Sequence, residues 1–126
     1  MTEKRKVLIV DDAEVMRKEV AALLKDKYET YEAEDGLQAL EQVRKVVPDM
    51  IILDLEMPVM GGFEFLDKVD EILDPIPPVL ILTTISTKRR ETREKGAQFY
   101  MDKPFEKERL LTVIEHLLKS ESTRPN

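Results

Sequence analysis

The sequence predicts an α/β protein, a doubly wound parallel sheet of about five strands with helices on both faces. Three observations lead there. Val7-Leu8-Ile9-Val10, Met50-Ile51-Ile52-Leu53 and Val79-Leu80-Ile81-Leu82 are short continuous apolar runs, as strands buried on both faces read. Segments with helical spacing of apolar residues alternate with them. A chain of 126 residues suits one domain with one core.

Each element follows in turn. Val7 to Val10 is the first strand, stopped by Asp11-Asp12. From Ala13 to about Lys25, Met16, Val20, Leu23 and Leu24 share one helical face. Tyr28 to Ala33 alternates and reads as a more exposed strand. Asp35-Gly36 makes a turn, and Leu37, Leu40, Val43 and Val47 mark a second helix closed by Pro48. Met50 to Leu53 is a buried strand ended by Asp54, and Pro58 and Gly61-Gly62 break the chain into a loop. Phe65, Leu66, Val69 and Leu73 form the inner face of a third helix. Pro75, Pro77 and Pro78 stiffen the connection to Val79–Leu82, which stops at Thr83-Thr84. Thr87 to Lys95 is a short, charged helix, with Gly96 suited to its C-cap. Gln98 to Met101 is the last strand. Glu106 to Lys119 is amphipathic, with Leu110, Val113, Ile114, Leu117 and Leu118 inward, and the polar tail SESTRPN follows.

Composition excludes several classes. Hydrophobic residues at 42% and charged residues at 37% describe a globular chain rather than a disordered one. A net charge of −6 offers no cation excess for a nucleic-acid backbone. With no Cys there is neither a disulfide nor a thiolate metal site, which fits a cytoplasmic location. No apolar run spans a membrane, and MTEKRK leads into a strand rather than a signal-peptide core.

The chemistry-bearing residues fall at strand ends. Asp11 and Asp12 end the first strand, Asp54 the third and Thr83 the fourth, while Lys103 follows the fifth. In an open parallel sheet these positions share the carboxyl rim, where ligands bind. If strands one and three are neighbours, Asp11, Asp12 and Asp54 converge, and clustered carboxylates call for a cation or a raised pKa. Oxygen-only donors favour Mg²⁺, with Mn²⁺ the other candidate. A carboxylate beside such an ion can act as a nucleophile and form an aspartyl phosphate. Each residue also has a plainer reading: Asp12 as an N-cap for the next helix, Asp54 and Lys103 as loop residues, Thr83 as an ordinary strand end. Their common rim is what favours the functional reading.

VLIVDD (Val7 to Asp12), IILDLEMPVMGG (Ile51 to Gly62), LTT (Leu82 to Thr84) and KPF (Lys103 to Phe105) occur in order with characteristic spacing. In these the chain resembles the receiver domains of bacterial two-component response regulators, in particular the stand-alone chemotaxis regulators, from about Lys6 to Lys119. The resemblance implies a flavodoxin-like fold with strand order 2-1-3-4-5. It implies a receiver over 1–120, with 121–126 a polar tail, and a phosphoacceptor role rather than an enzyme's turnover of substrates. Asp54 matches the phosphoacceptor, Asp12 the direct Mg²⁺ ligand, and Asp11 the holder of a metal-bound water. The backbone carbonyl of Glu56 matches a third ligand. Thr83, favoured over Thr84 because it directly follows the apolar strand, matches the switch hydroxyl. Lys103 matches its cationic partner, and Tyr100 the aromatic that swings inward. Lys103–Pro104 resembles a bond that is often cis in the family.

Further expectations follow from the resemblance. The donor is a sensor histidine kinase or a histidine phosphotransfer protein, docked against Ala13, Met16, Pro104 and Phe105, although Met16 equally reads as a core residue. The output is contact with a downstream protein through the short helix, last strand and last helix, from a chain that is monomeric when unphosphorylated. Between Thr83 and Lys103 the chain is a couple of residues shorter than most receivers. Glu56 and Ile85, two positions beyond Asp54 and Thr83, suggest slow self-dephosphorylation. His116 reads as a surface or boundary residue. The alternatives are an aspartyl-nucleophile phosphohydrolase, an interaction module without phosphorylation, and the receiver piece of a longer regulator.

Overall fold

The computed structural model describes residues 4–122, with side chains as far as Lys119. Five strands, β1 (Arg5–Val10), β2 (Tyr28–Ala33), β3 (Met50–Leu53), β4 (Val79–Thr83) and β5 (Phe99–Asp102), alternate with five helices. These are α1 (Glu14–Leu24), α2 (Gly36–Val46), α3 (Gly62–Val69), α4 (Arg89–Glu94) and α5 (Lys107–Ser122). All pairings are parallel and the strand order is 2-1-3-4-5. β2 and β5 are therefore edges, which accounts for the half-exposed, polar character of β2.

Alternation along the strands divides the apolar interior in two. Leu8, Val10, Ile51, Leu53 and Ile81 face α2 and α3, where Leu40, Val43, Phe65 and Val69 meet them. Val7, Ile9, Ile52, Leu80 and Leu82 face α1 and α5, packing with Val20, Leu24, Leu110 and Ile114. Burying a side chain of this kind contributes roughly 1.5–3 kcal/mol before conformational entropy is charged against it.

Several expectations change at element ends. Leu37 and Val47 are exposed rather than inward. Leu37 lies in the first turn of α2, and Val47 is its C-cap, turned outward by a left-handed backbone at φ 51°. α3 stops at Val69, so Leu73 reaches the core from the following turn rather than from the helix. α5 continues through Ser122, so the start of the expected tail is helical, while residues 123–126 lie outside the described residues. Asp35 is more than a turn residue: its carboxylate caps α2 by accepting from the Gln38 N–H at 2.9 Å. Gly96 follows α4 with φ 105°, its N–H donating to the Arg93 carbonyl. Among the described residues no helix is long and apolar enough to cross a membrane.

Candidate functional site

Register places the predicted residues at one edge. β1 and β3 pair side by side, Val10 opposite Leu53, so the residues that follow them, Asp11 and Asp54, leave the sheet together. One carboxylate oxygen from each of Asp11, Asp12 and Asp54 lies within 4.8 Å of the other two. Asp11 and Asp54 are 3% and 7% exposed, whereas Asp12 faces solvent. The capping role open to Asp12 is not taken: Ala13 is the N-cap of α1 and no side chain caps it.

Lys103 enters this acidic group from the β5 side. Its Nζ is 2.5 Å from Asp11 Oδ2 and 3.3 Å from Asp54 Oδ2. Burial alone would lower its pKa, but the Asp11 hydrogen bond and the Asp54 and Asp11 charges outweigh that and hold it above the ordinary lysine value. The remaining oxygens are oriented by backbone. Asp54 Oδ1 accepts from the Leu55 N–H at 2.7 Å, and Asp11 Oδ1 accepts from the Ala13 N–H at 2.9 Å. Three acids against one lysine leave an excess of negative charge, and Asp12 has a carboxylate open to solvent. That donor set suits a hard divalent cation.

Thr83 is completely buried at the end of β4, while Thr84 is exposed. The backbone joins it to the lysine, because the Lys103 N–H donates to the Thr83 carbonyl at 2.9 Å. Its hydroxyl lies 3.4 Å from the Ile85 N–H, too long for a strong hydrogen bond. The Lys103–Pro104 peptide is cis. Tyr100 is already inward: its ring is buried and its hydroxyl donates to the Ile85 carbonyl. Of the expected docking residues, Ala13 and Pro104 are exposed, while Met16 and Phe105 are half-buried against the α1/α5 core. Glu56 and His116 are exposed, and Ile85 is half-buried.

Three contributors were not foreseen. Arg17, in α1, donates from Nη1 to the Asp11 carbonyl at 2.8 Å and from Nε to Glu32 of β2 at 3.0 Å, so it ties the acidic turn to the neighbouring strand. Its only sequence signal is a charged residue beside the apolar face of a helix. Arg89 stacks its guanidinium 4.8 Å from the Tyr100 ring centre and donates to the Tyr100 carbonyl at 3.3 Å. Val59, in the loop between β3 and α3, holds φ 68°, an uncommon conformation for a β-branched residue and a local backbone strain.

Comparison with known proteins decides the family. Residues 7–115 match the family described as the response regulator receiver domain. The chain belongs to that family. The chemotaxis protein CheY of Listeria monocytogenes is 36% identical over 118 residues, covering 90% of this chain and 98% of that protein. Sporulation initiation phosphotransferase F of Bacillus subtilis is 33% identical, covering 93% of this chain and 96% of the relative. Among solved structures, Vibrio cholerae chemotaxis protein CheY4 superposes with a TM-score of 0.85 at 39% identity, covering 91% of this chain and 99% of that one. This receiver is thus CheY-like, a signalling protein rather than an enzyme, and the phosphohydrolase alternative is set aside.

Proposed function

We propose that this receiver accepts a phosphoryl group on Asp54 from a phosphohistidine of a sensor kinase or phosphotransfer protein. The observation that carries this reading is the pairing of the Asp54 carboxylate with Lys103 at the rim, next to Asp11 and Asp12. The Leu55 N–H holds one Asp54 oxygen. Attack by the other forms a P–O bond as the donor's P–N bond breaks, and the electron pair stays on the imidazole nitrogen, which takes a proton from solvent.

Lys103 offers its ammonium to the incoming phosphoryl oxygens as its hold on Asp54 loosens, and Thr83 offers its hydroxyl to another. Asp11, Asp12 and Asp54, with the Glu56 backbone carbonyl, would hold Mg²⁺, which when bound supplies positive charge against the phosphoryl oxygens. Because Thr83 and Lys103 share a backbone hydrogen bond, a shift of one moves the other and alters the space around Tyr100. That change biases a two-state equilibrium read by a downstream protein at α4, β5 and α5.

The test is intact mass after incubation with acetyl phosphate, with and without Mg²⁺. One phosphoryl group should appear only with Mg²⁺ and should vanish in Asp54→Asn, which keeps the fold. Persistent labelling of Asp54→Asn would remove Asp54 from this role.

A further inference from the structure

We infer that Arg17 is a positioning residue for the divalent cation: by holding the Asp11 carbonyl against Glu32 of β2, it sets where the Asp12 carboxylate stands. This rests on the proposed Mg²⁺ site and adds a residue outside its donor set. The two acids of the turn are held very differently. Every polar group of Asp11 has a partner. Its N–H donates to the Ala33 carbonyl at 3.1 Å, and its own carbonyl accepts from Arg17 Nη1 at 2.8 Å. Its Oδ1 accepts from the Ala13 N–H at 2.9 Å and its Oδ2 from Lys103 Nζ at 2.5 Å. Asp12 is exposed, and among the described residues its carboxylate takes no hydrogen bond and no ion pair.

Asp12 therefore depends on its backbone for its place. The Asp11 carbonyl and the Asp12 Cα belong to one planar peptide, so a bond that fixes the carbonyl fixes the point from which the Asp12 side chain springs. Arg17 suits this task. Its planar guanidinium holds two acceptors at a set angle, the Asp11 carbonyl on Nη1 and Glu32 Oε1 on Nε at 3.0 Å. Only 12% of the Arg17 side chain is exposed, so water does not readily take its place. Glu32 is itself braced. Lys18 holds its Oε2 at 3.0 Å, and the Gln42 side-chain amide donates to its backbone carbonyl at 3.1 Å. Charge acts in the opposite direction. A guanidinium against the acidic turn repels a divalent cation, so its removal would tighten binding if charge were its only effect. Position and charge thus predict changes of opposite sign.

Nuclear magnetic resonance titration of the ¹⁵N-labelled full chain with Mg²⁺ tests this, followed at the amides of Asp12, Ala13, Asp54 and Leu55. Arg17→Gln should weaken Mg²⁺ binding on the order of tenfold. Arg17→Lys keeps the charge but not the two-acceptor fork, and should weaken it as well. Glu32→Ala should weaken binding in the wild-type background and add nothing in Arg17→Gln, because it acts through the arginine. Urea midpoints of the same variants are measured beside the titrations, which are run where each variant is folded. Tighter binding in Arg17→Gln, with wild-type binding in Arg17→Lys, would make Arg17 a charge only and overturn the inference. Lower urea midpoints with unchanged Mg²⁺ affinity would make it a structural tie only and overturn it equally. A full further loss from Glu32→Ala in Arg17→Gln would detach Glu32 from the arginine and overturn the anchoring. Absence of Mg²⁺ shifts in the wild type would sink the metal site and this inference with it. A wild type that binds, beside Arg17 variants that bind equally, sinks the positioning role alone.

Discussion

A β-carbon on Gly62 would lie 2.6 Å from the carbonyl oxygen of Asp54. The first residue of α3 is thus packed onto the backbone of Asp54, the proposed phosphoacceptor, and its N–H donates to the Leu55 carbonyl at 2.9 Å. Real β-carbons do not come so close to a carbonyl oxygen, so a side chain there must push β3 and α3 apart.

Gly62→Ala is therefore expected to cost about 1–3 kcal/mol of stability and to slow acetyl phosphate labelling at Asp54. Denaturant unfolding and labelling rates, measured together, check it. A variant with unchanged stability and labelling would show that the loop gives way freely.

Removing the lysine leaves the acids uncompensated. Lys103→Met should destabilise the metal-free chain by about 1–3 kcal/mol, because Asp11 and Asp54 lose their shared cation. Added Mg²⁺ should then raise Tm more in the variant than in the wild type, since the cation replaces part of the lost charge. Labelling should fall even at saturating Mg²⁺. Thermal melts with and without Mg²⁺ make the comparison.

The Ile85 side chain packs against the core, and under the proposed phosphoacceptor role it would offer no hydrogen bond to a water attacking the phosphoryl group. Ile85→Glu should hasten loss of the phosphoryl group on the order of tenfold. The check is the decay of phosphorylated protein by mass spectrometry, and equal decay would exclude Ile85 from setting the lifetime.

Burial, as the largest cause, holds the Tyr100 hydroxyl above the ordinary phenol pKa. A group whose pKa is higher in the folded chain stabilises fully below its unfolded value and loses that contribution as pH rises through its folded value. Stability should fall above about pH 10, and less steeply in Tyr100→Phe. Tyr28 and Tyr31 are also raised, so the variant should keep part of the slope. Urea midpoints across the alkaline range measure it.

The strands and the acidic rim were legible because their signals are local. Apolar runs end in Asp or Thr, and parallel topology brings such ends to one side. Leu37, Val47 and Leu73 were misplaced because periodicity does not say where a helix stops. Arg17 and Arg89 were invisible for a different reason. Each acts on a residue from another element, Arg17 on Glu32 and Arg89 on Tyr100, and nothing in their own segments encodes that meeting. The inward setting of Tyr100 depends on the Ile85 carbonyl, whose position is decided by a loop rather than by a repeating pattern.

The bond between the Lys103 N–H and the Thr83 carbonyl has a consequence for protein engineering. The two stand twenty positions apart in the chain, but they form one mechanical unit. Anyone recombining segments of this protein with those of a homologue must move the end of β4 and the KPF turn as a pair. A crossover placed between them would join two halves whose shared hinge was shaped for different neighbours.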